Sequence, residues 1–157
     1  MNLEPQTQNP HVTEPPVVER QREKPLILVI NDTQEILDLF REILEEEGCD
    51  VVLSSFGVQE VADVQKIDPD LVILDFLIGG EAQGWQLLQK LRMTRATQNL
   101  PIIVCTAALQ LVRELEGHLT SKNVGLILKP FDIDELVEAV HKGLQPGGLV
   151  GNHNVGA

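Results

Sequence analysis

Polar side chains stand just where four short apolar runs end. "LILVIND" closes on Asn31 and Asp32, "LVILDF" holds Asp75, "IIVCTA" carries Thr106 and "LILKPF" carries Lys129. An ionised group carried into an apolar layer has to find a partner or neutralise. Asp75, a lone acid behind four apolar residues, therefore belongs at the mouth of a site, provided that its run is a strand. Taken singly, each residue has a plain structural reading: Asp32 or Thr33 caps a helix, Thr106 ends a strand, Lys129 is solvated. Delivery of an acid beside an amide, a second acid, a hydroxyl and a lysine to one edge is harder to explain that way. Together they make the polar rim of a ligand site.

The elements that would position them can be read from the pattern. Continuous, often β-branched apolar runs predict strands over 26–30, 51–54, 71–75, 102–106 and 125–128, each covered on both faces. Between them lie stretches with helical spacing. The clearest covers 33–47, where Ile36, Leu37, Phe40, Ile43 and Leu44 share a face and Gly48 offers a stop. Others cover 83–95, with Trp85 near its start, and 132–142, with Ile133, Leu136, Val137 and Val140 inward. Shorter helices are expected over 58–66 and 108–119. Strands alternating with helices imply an α/β domain: a doubly wound, five-stranded parallel sheet with right-handed crossovers and five helices on its two faces. In such sheets ligands bind beyond the carboxyl ends of the strands, near the point where strand order reverses. Asn31, Asp32, Asp75, Thr106 and Lys129 all fall there.

Composition narrows the function. The chain has 157 residues and a net charge of -12, and residues 1–24 hold nearly balanced charge, so the excess is carried by the rest. Such a surface repels a nucleic-acid backbone, and no basic patch offsets it. Cys49 and Cys105 lack metal-ligand spacing, which points to free thiols in a reducing compartment, with Cys105 in the core. His11, His118, His141 and His153 form no metal cluster or triad with them. No apolar run approaches membrane-spanning length, and the N-terminus has no secretory pattern, so a cytoplasmic protein is expected. Residues 1–24, with Pro5, Pro10, Pro15 and Pro16, read as a disordered tail, and the Gly-rich 145–157 as a flexible one, leaving a domain over 25–144. Neither G-x-G-x-x-G nor G-x-x-x-x-G-K-[ST] is present, and position 77 is leucine, so Asp75 lacks the acid-x-acid motif of haloacid-dehalogenase-like phosphatases.

In order and spacing the four runs resemble the signatures of the receiver domain of two-component response regulators, over residues 25–144. The resemblance implies the flavodoxin-like strand order 2-1-3-4-5. It also implies that Asp75 accepts a phosphoryl group from a phosphohistidine on a sensor histidine kinase or phosphotransfer protein. Asp32, Asp75 and the Leu77 carbonyl would bind Mg²⁺, Lys129 and the Thr106 hydroxyl would contact the phosphoryl group, and the Lys129–Pro130 bond would be cis. A carboxylate approaching a phosphoryl dianion meets like charge, which a divalent cation and an ammonium neutralise. Such a protein is not an enzyme beyond its own phosphorylation and dephosphorylation. With only a short segment after 144, its signal would leave by protein contact. The resemblance places that contact, a weak homodimer included, on the helix over 132–142, the fifth strand and the 108–119 segment.

The sequence departs from the family at three places. Asn31 stands where an acid is usual, which makes the pocket about one unit less negative and predicts weaker Mg²⁺ binding. "FLIGGEAQG" makes the loop after Asp75 one residue longer, with Gly79 and Gly80 in it. Leu126 stands where many members carry an aromatic that moves with the hydroxyl. A degenerate receiver, binding a partner without phosphorylation, is the rival reading.

Overall fold

The computed structural model describes residues 23–115, 123–146 and 148–149. The expected N-terminal tail, apart from Glu23 and Lys24, lies outside the described residues, as do most of 145–157 and His11, His118 and His153. The described elements run β1 (Leu26–Ile30), α1 (Gln34–Glu46), β2 (Asp50–Ser54), α2 (Val61–Ile67), β3 (Leu71–Leu74), α3 (Gln83–Met93), β4 (Ile102–Thr106), α4 (Leu109–Leu115), β5 (Val124–Leu128) and α5 (Ile133–Gly143). Every strand pairing is parallel, and the order is β2-β1-β3-β4-β5. The five-stranded doubly wound sheet with five helices is therefore as expected.

β1 and β4 match their expected bounds, and the others shift slightly. β2 starts at Asp50, an exposed residue that an apolar criterion passes over. β3 stops at Leu74, so Asp75 stands just past the ladder. α2 starts at Val61 rather than 58, because Glu60 and Asp63 form a reciprocal capping box ahead of it. Helix 83–95 ends at Met93, and α4 begins at Leu109, the rest of the expected 108–119 helix from 116 onward lying outside the described residues.

Side chains from successive strand positions divide between two cores. Leu28, Ile30, Val72, Leu74, Ile102, Val104 and Leu126 face α2, α3 and α4, meeting Val64, Leu87, Leu88, Leu91 and Val112. Ile27, Val29, Leu71, Ile73, Ile103, Cys105 and Ile127 face α1 and α5, meeting Leu37, Phe40, Leu44, Leu136 and Val140. Each such apolar side chain contributes about 1.5–3 kcal/mol when removed from water. That explains the continuous apolar runs: a sheet covered on both faces has no side for polar residues.

At the start of the strands, loops are tied by polar groups. The Arg92 guanidinium donates to the carbonyls of Thr97 (3.2 Å), Leu100 (2.7 Å) and Asn123 (3.0 Å). Burial pushes its pKa down to about 10. Asn123, at φ 62, donates its amide to Asn99 O (2.7 Å) and accepts the Leu149 N–H (3.0 Å). Leu149 itself is 0% exposed, packed beside Gly125 and Gly143. The packed chain thus continues past the expected domain end at Leu144, because a lone leucine in a glycine-rich stretch finds a socket that two distant glycines leave open.

Helix α3 starts against the backbone that leaves β3. Gly84 donates its N–H to Phe76 O at 3.0 Å, and a Cβ there would meet the Asp75 carbonyl oxygen at 1.6 Å. Gly84→Ala is expected to destabilise the domain by on the order of 3 kcal/mol or more, read as a lower urea midpoint. Leu149→Ala, which empties its socket, is expected to cost about 2 kcal/mol or more in the same measurement. A wild-type midpoint for Leu149→Ala would mean that this contact adds nothing to stability.

Candidate functional site

β1 and β3 are sheet neighbours with a crossover between them, and Ile30 pairs with Leu74. Asn31, Asp32 and Asp75 therefore leave the sheet side by side, at the point where strand order reverses. On the other flank Thr106 pairs with Leu128, and its carbonyl accepts the Lys129 N–H at 2.9 Å. Lys129 follows β5 and precedes a cis bond to Pro130. Phe131 then stacks on Phe40 of α1, ring centroids 5.7 Å apart, which anchors the chain just beyond the lysine.

Lys129 and Asp75 meet directly. Nζ donates to Asp75 Oδ2 at 2.9 Å, and the side chains are only 21% and 12% exposed. Asp75 Oδ1 accepts the Leu77 N–H at 3.1 Å, so both carboxylate oxygens are engaged. A pair this shielded is far less screened than a surface pair, and removing one member strands the other's charge.

Asp32 and Asn31 divide the work at the start of α1 in an unexpected way. Thr33 holds the N-cap position without a side-chain capping bond, and Asp32 does not cap either. Instead Asn31 Oδ1 accepts the Thr33 N–H at 2.9 Å, closing a tight turn, while Asn31 is 2% exposed. Asp32 Oδ2 accepts the Gly79 N–H at 2.8 Å, and its Oδ1 lies 3.3 Å from the Thr33 hydroxyl. Both acids thus lean on one short loop, Asp75 through Leu77 and Asp32 through Gly79. The Gly79 donor was invisible to side-chain reasoning, since it belongs to the backbone.

Thr106 is 1% exposed, and its Oγ1 accepts the Ala108 N–H at 3.1 Å. Its hydroxyl is thus engaged with the Ala108 amide, at the same edge as the Asp75–Lys129 ion pair but outside it. Cys105 lies in the core as expected; burial pushes its thiol up to about 12, with Lys129 pulling down and Asp75 pushing up. Leu126 is buried in the α2–α4 core. Among the described residues no helix is long and apolar enough to cross a membrane.

The response regulator receiver domain model matches residues 27–141. Sporulation initiation phosphotransferase F of Bacillus subtilis is 35% identical over 121 residues, 75% of this chain and 92% of that protein. The DNA-binding dual master transcriptional regulator RpaA of Synechocystis is 31% identical over 116 residues, 74% of this chain but 47% of RpaA, so the chain spans about half the length of that relative. Among solved structures, the response regulator protein TrrA of Thermotoga maritima, in complex with Mg(2+)-BeF, superposes with a TM-score of 0.60 at 28% identity, covering 75% of this chain and 97% of that one. With the sheet order and the strand-end acids already described, these matches place the chain in the response regulator receiver domain family.

Proposed function

We propose that the protein accepts a phosphoryl group on Asp75 from a histidine kinase or phosphotransfer protein and signals by protein contact. The observation that carries this reading is the Lys129–Asp75 pair, 2.9 Å long, at the crevice where strand order reverses. A carboxylate oxygen of Asp75 attacks the phosphorus of a phosphohistidine; the O–P bond forms as the N–P bond breaks and its electron pair returns to the imidazole. Lys129 holds the carboxylate in place beforehand and offsets the charge brought by the incoming group. Thr106, whose oxygen already accepts the Ala108 N–H, keeps its hydroxyl proton for a phosphoryl oxygen.

The donor set suits magnesium. Asp32, Asp75 and the Leu77 carbonyl are hard oxygen ligands, and the two carboxylates lean on the same loop through the Gly79 and Leu77 N–H groups. The Mg(2+)-BeF in the TrrA structure supports carrying this cation over. Bound there, Mg²⁺ supplies positive charge that lowers repulsion between the carboxylate and the phosphoryl group. The protein's own chemistry is limited to gaining and losing this group. A net charge of -12 supports a protein target rather than a nucleic acid.

Incubation with Mg²⁺ and a small acyl phosphate is expected to add one phosphoryl mass, absent in Asp75→Ala and without metal. No adduct under conditions that phosphorylate a known receiver overturns this reading in favour of a phosphorylation-independent binding module. Asn31→Asp is expected to tighten Mg²⁺ binding by about tenfold or more, because it adds a unit charge beside a divalent ion. A carboxylate at 31 can keep the Thr33 N–H on one oxygen and leave the other free. Calorimetric titration of both proteins measures this, and equal affinities would rule it out.

A further inference from the structure

The loop after Asp75 does more than lengthen the connection to α3. Ile78 donates its N–H to Glu81 O at 2.9 Å, and Glu81 returns one to Ile78 O at 3.2 Å. Gly79 and Gly80 lie between them at φ 66 and 81. Two positive φ values inside such a two-bond hairpin are the signature of a type I′ turn, which favours glycine at both centres. The turn is held at each side: Ile78 is 4% exposed, and Gly84 is locked against the backbone of Asp75 and Phe76.

The hairpin bonds use the amides of Ile78 and Glu81 and leave the Gly79 N–H outside them. It donates to Asp32 Oδ2 at 2.8 Å. Asp32 and Asp75 are like charges at one sheet edge, so each is pushed away from the other. Asp75 is held by Lys129 and Leu77, at 2.9 and 3.1 Å. Asp32 has the Gly79 amide. A carboxylate has about four lone-pair sites, so one backbone donor leaves room for a cation on the rest.

We infer that the Gly79–Gly80 turn is a positioning element that holds Asp32 beside Asp75 before any cation is bound. The inference rests on the reading of these two acids as magnesium ligands. Without the amide, Asp32 keeps only the longer bond from the neighbouring Thr33 hydroxyl, 3.3 Å, and has to be ordered again when metal arrives. Ordering one side chain on binding weakens affinity on the order of fivefold.

The test uses the full chain with two variants and Mg²⁺ titrations by calorimetry. Gly79→Pro removes the donor, yet Pro-Gly suits a type II turn, so the chain keeps a tight reversal. Gly80→Asn retains the donor in a residue that tolerates positive φ. Gly79→Pro is expected to weaken Mg²⁺ binding about fivefold, with Gly80→Asn within twofold of wild type. In metal-free wild type, the Gly79 amide is expected to exchange slowly with solvent, and Asp32→Ala to abolish that protection. An unprotected Gly79 amide overturns the inference even if Gly79→Pro does not fold. Unchanged Mg²⁺ affinity in folded Gly79→Pro overturns it while leaving the metal site standing. No heat of Mg²⁺ binding to wild type overturns the metal-site reading and this inference with it.

Discussion

β3 is buried along its whole length, so the charge of Asp75 emerges from an apolar wall and has to be met where it emerges. Lys129 meets it at 2.9 Å. Much of the chain's arrangement serves that encounter. β4 must lie between β3 and β5 for the two groups to converge, and Thr106 fixes the height of the lysine by accepting its backbone N–H. Phe131, stacked on Phe40, ties the segment after Lys129 to the opposite side of the sheet's crossover, through α1. An ammonium and a carboxylate shielded together form a strong, oriented field in a small volume, which is what a group transfer between anions needs.

The sheet was legible because it is covered on both faces. Parallel strands of this kind carry uninterrupted apolar runs, and these located β1 and β4 to the residue. The same criterion under-read β2, whose first residue is an exposed acid at the sheet's edge, and over-read β3, since Asp75 adjoins the ladder without joining it. The strand-end polar residues were legible as a set because topology sends parallel strand ends to one edge. What joins them was not. The Gly79 amide has no side chain to announce it, and Asn31 closes a turn through an oxygen that aspartate would share.

Leu149 shows the other limit of sequence reasoning. Its neighbours Gly147 and Gly148 argue for loose chain, and nothing local reveals that Gly125 and Gly143 together leave a hole. A socket made by the absence of side chains on two separate elements has no signature in either. Asn123 is similar: its positive φ is affordable for an asparagine, but the side chain's double engagement depends on Asn99 and Leu149, both far away in the chain.

The same asparagine links two ends of the domain mechanically. Chain leaving α5 is fastened by Asn123 and by the Leu149 socket to the root of β5, whose tip carries Lys129. Because the socket is formed by Gly125 of β5 and Gly143 of α5, a load applied beyond Leu149 is shared between strand and helix. One five-residue strand therefore has the anchored end of the chain at its root and the ion pair at its tip.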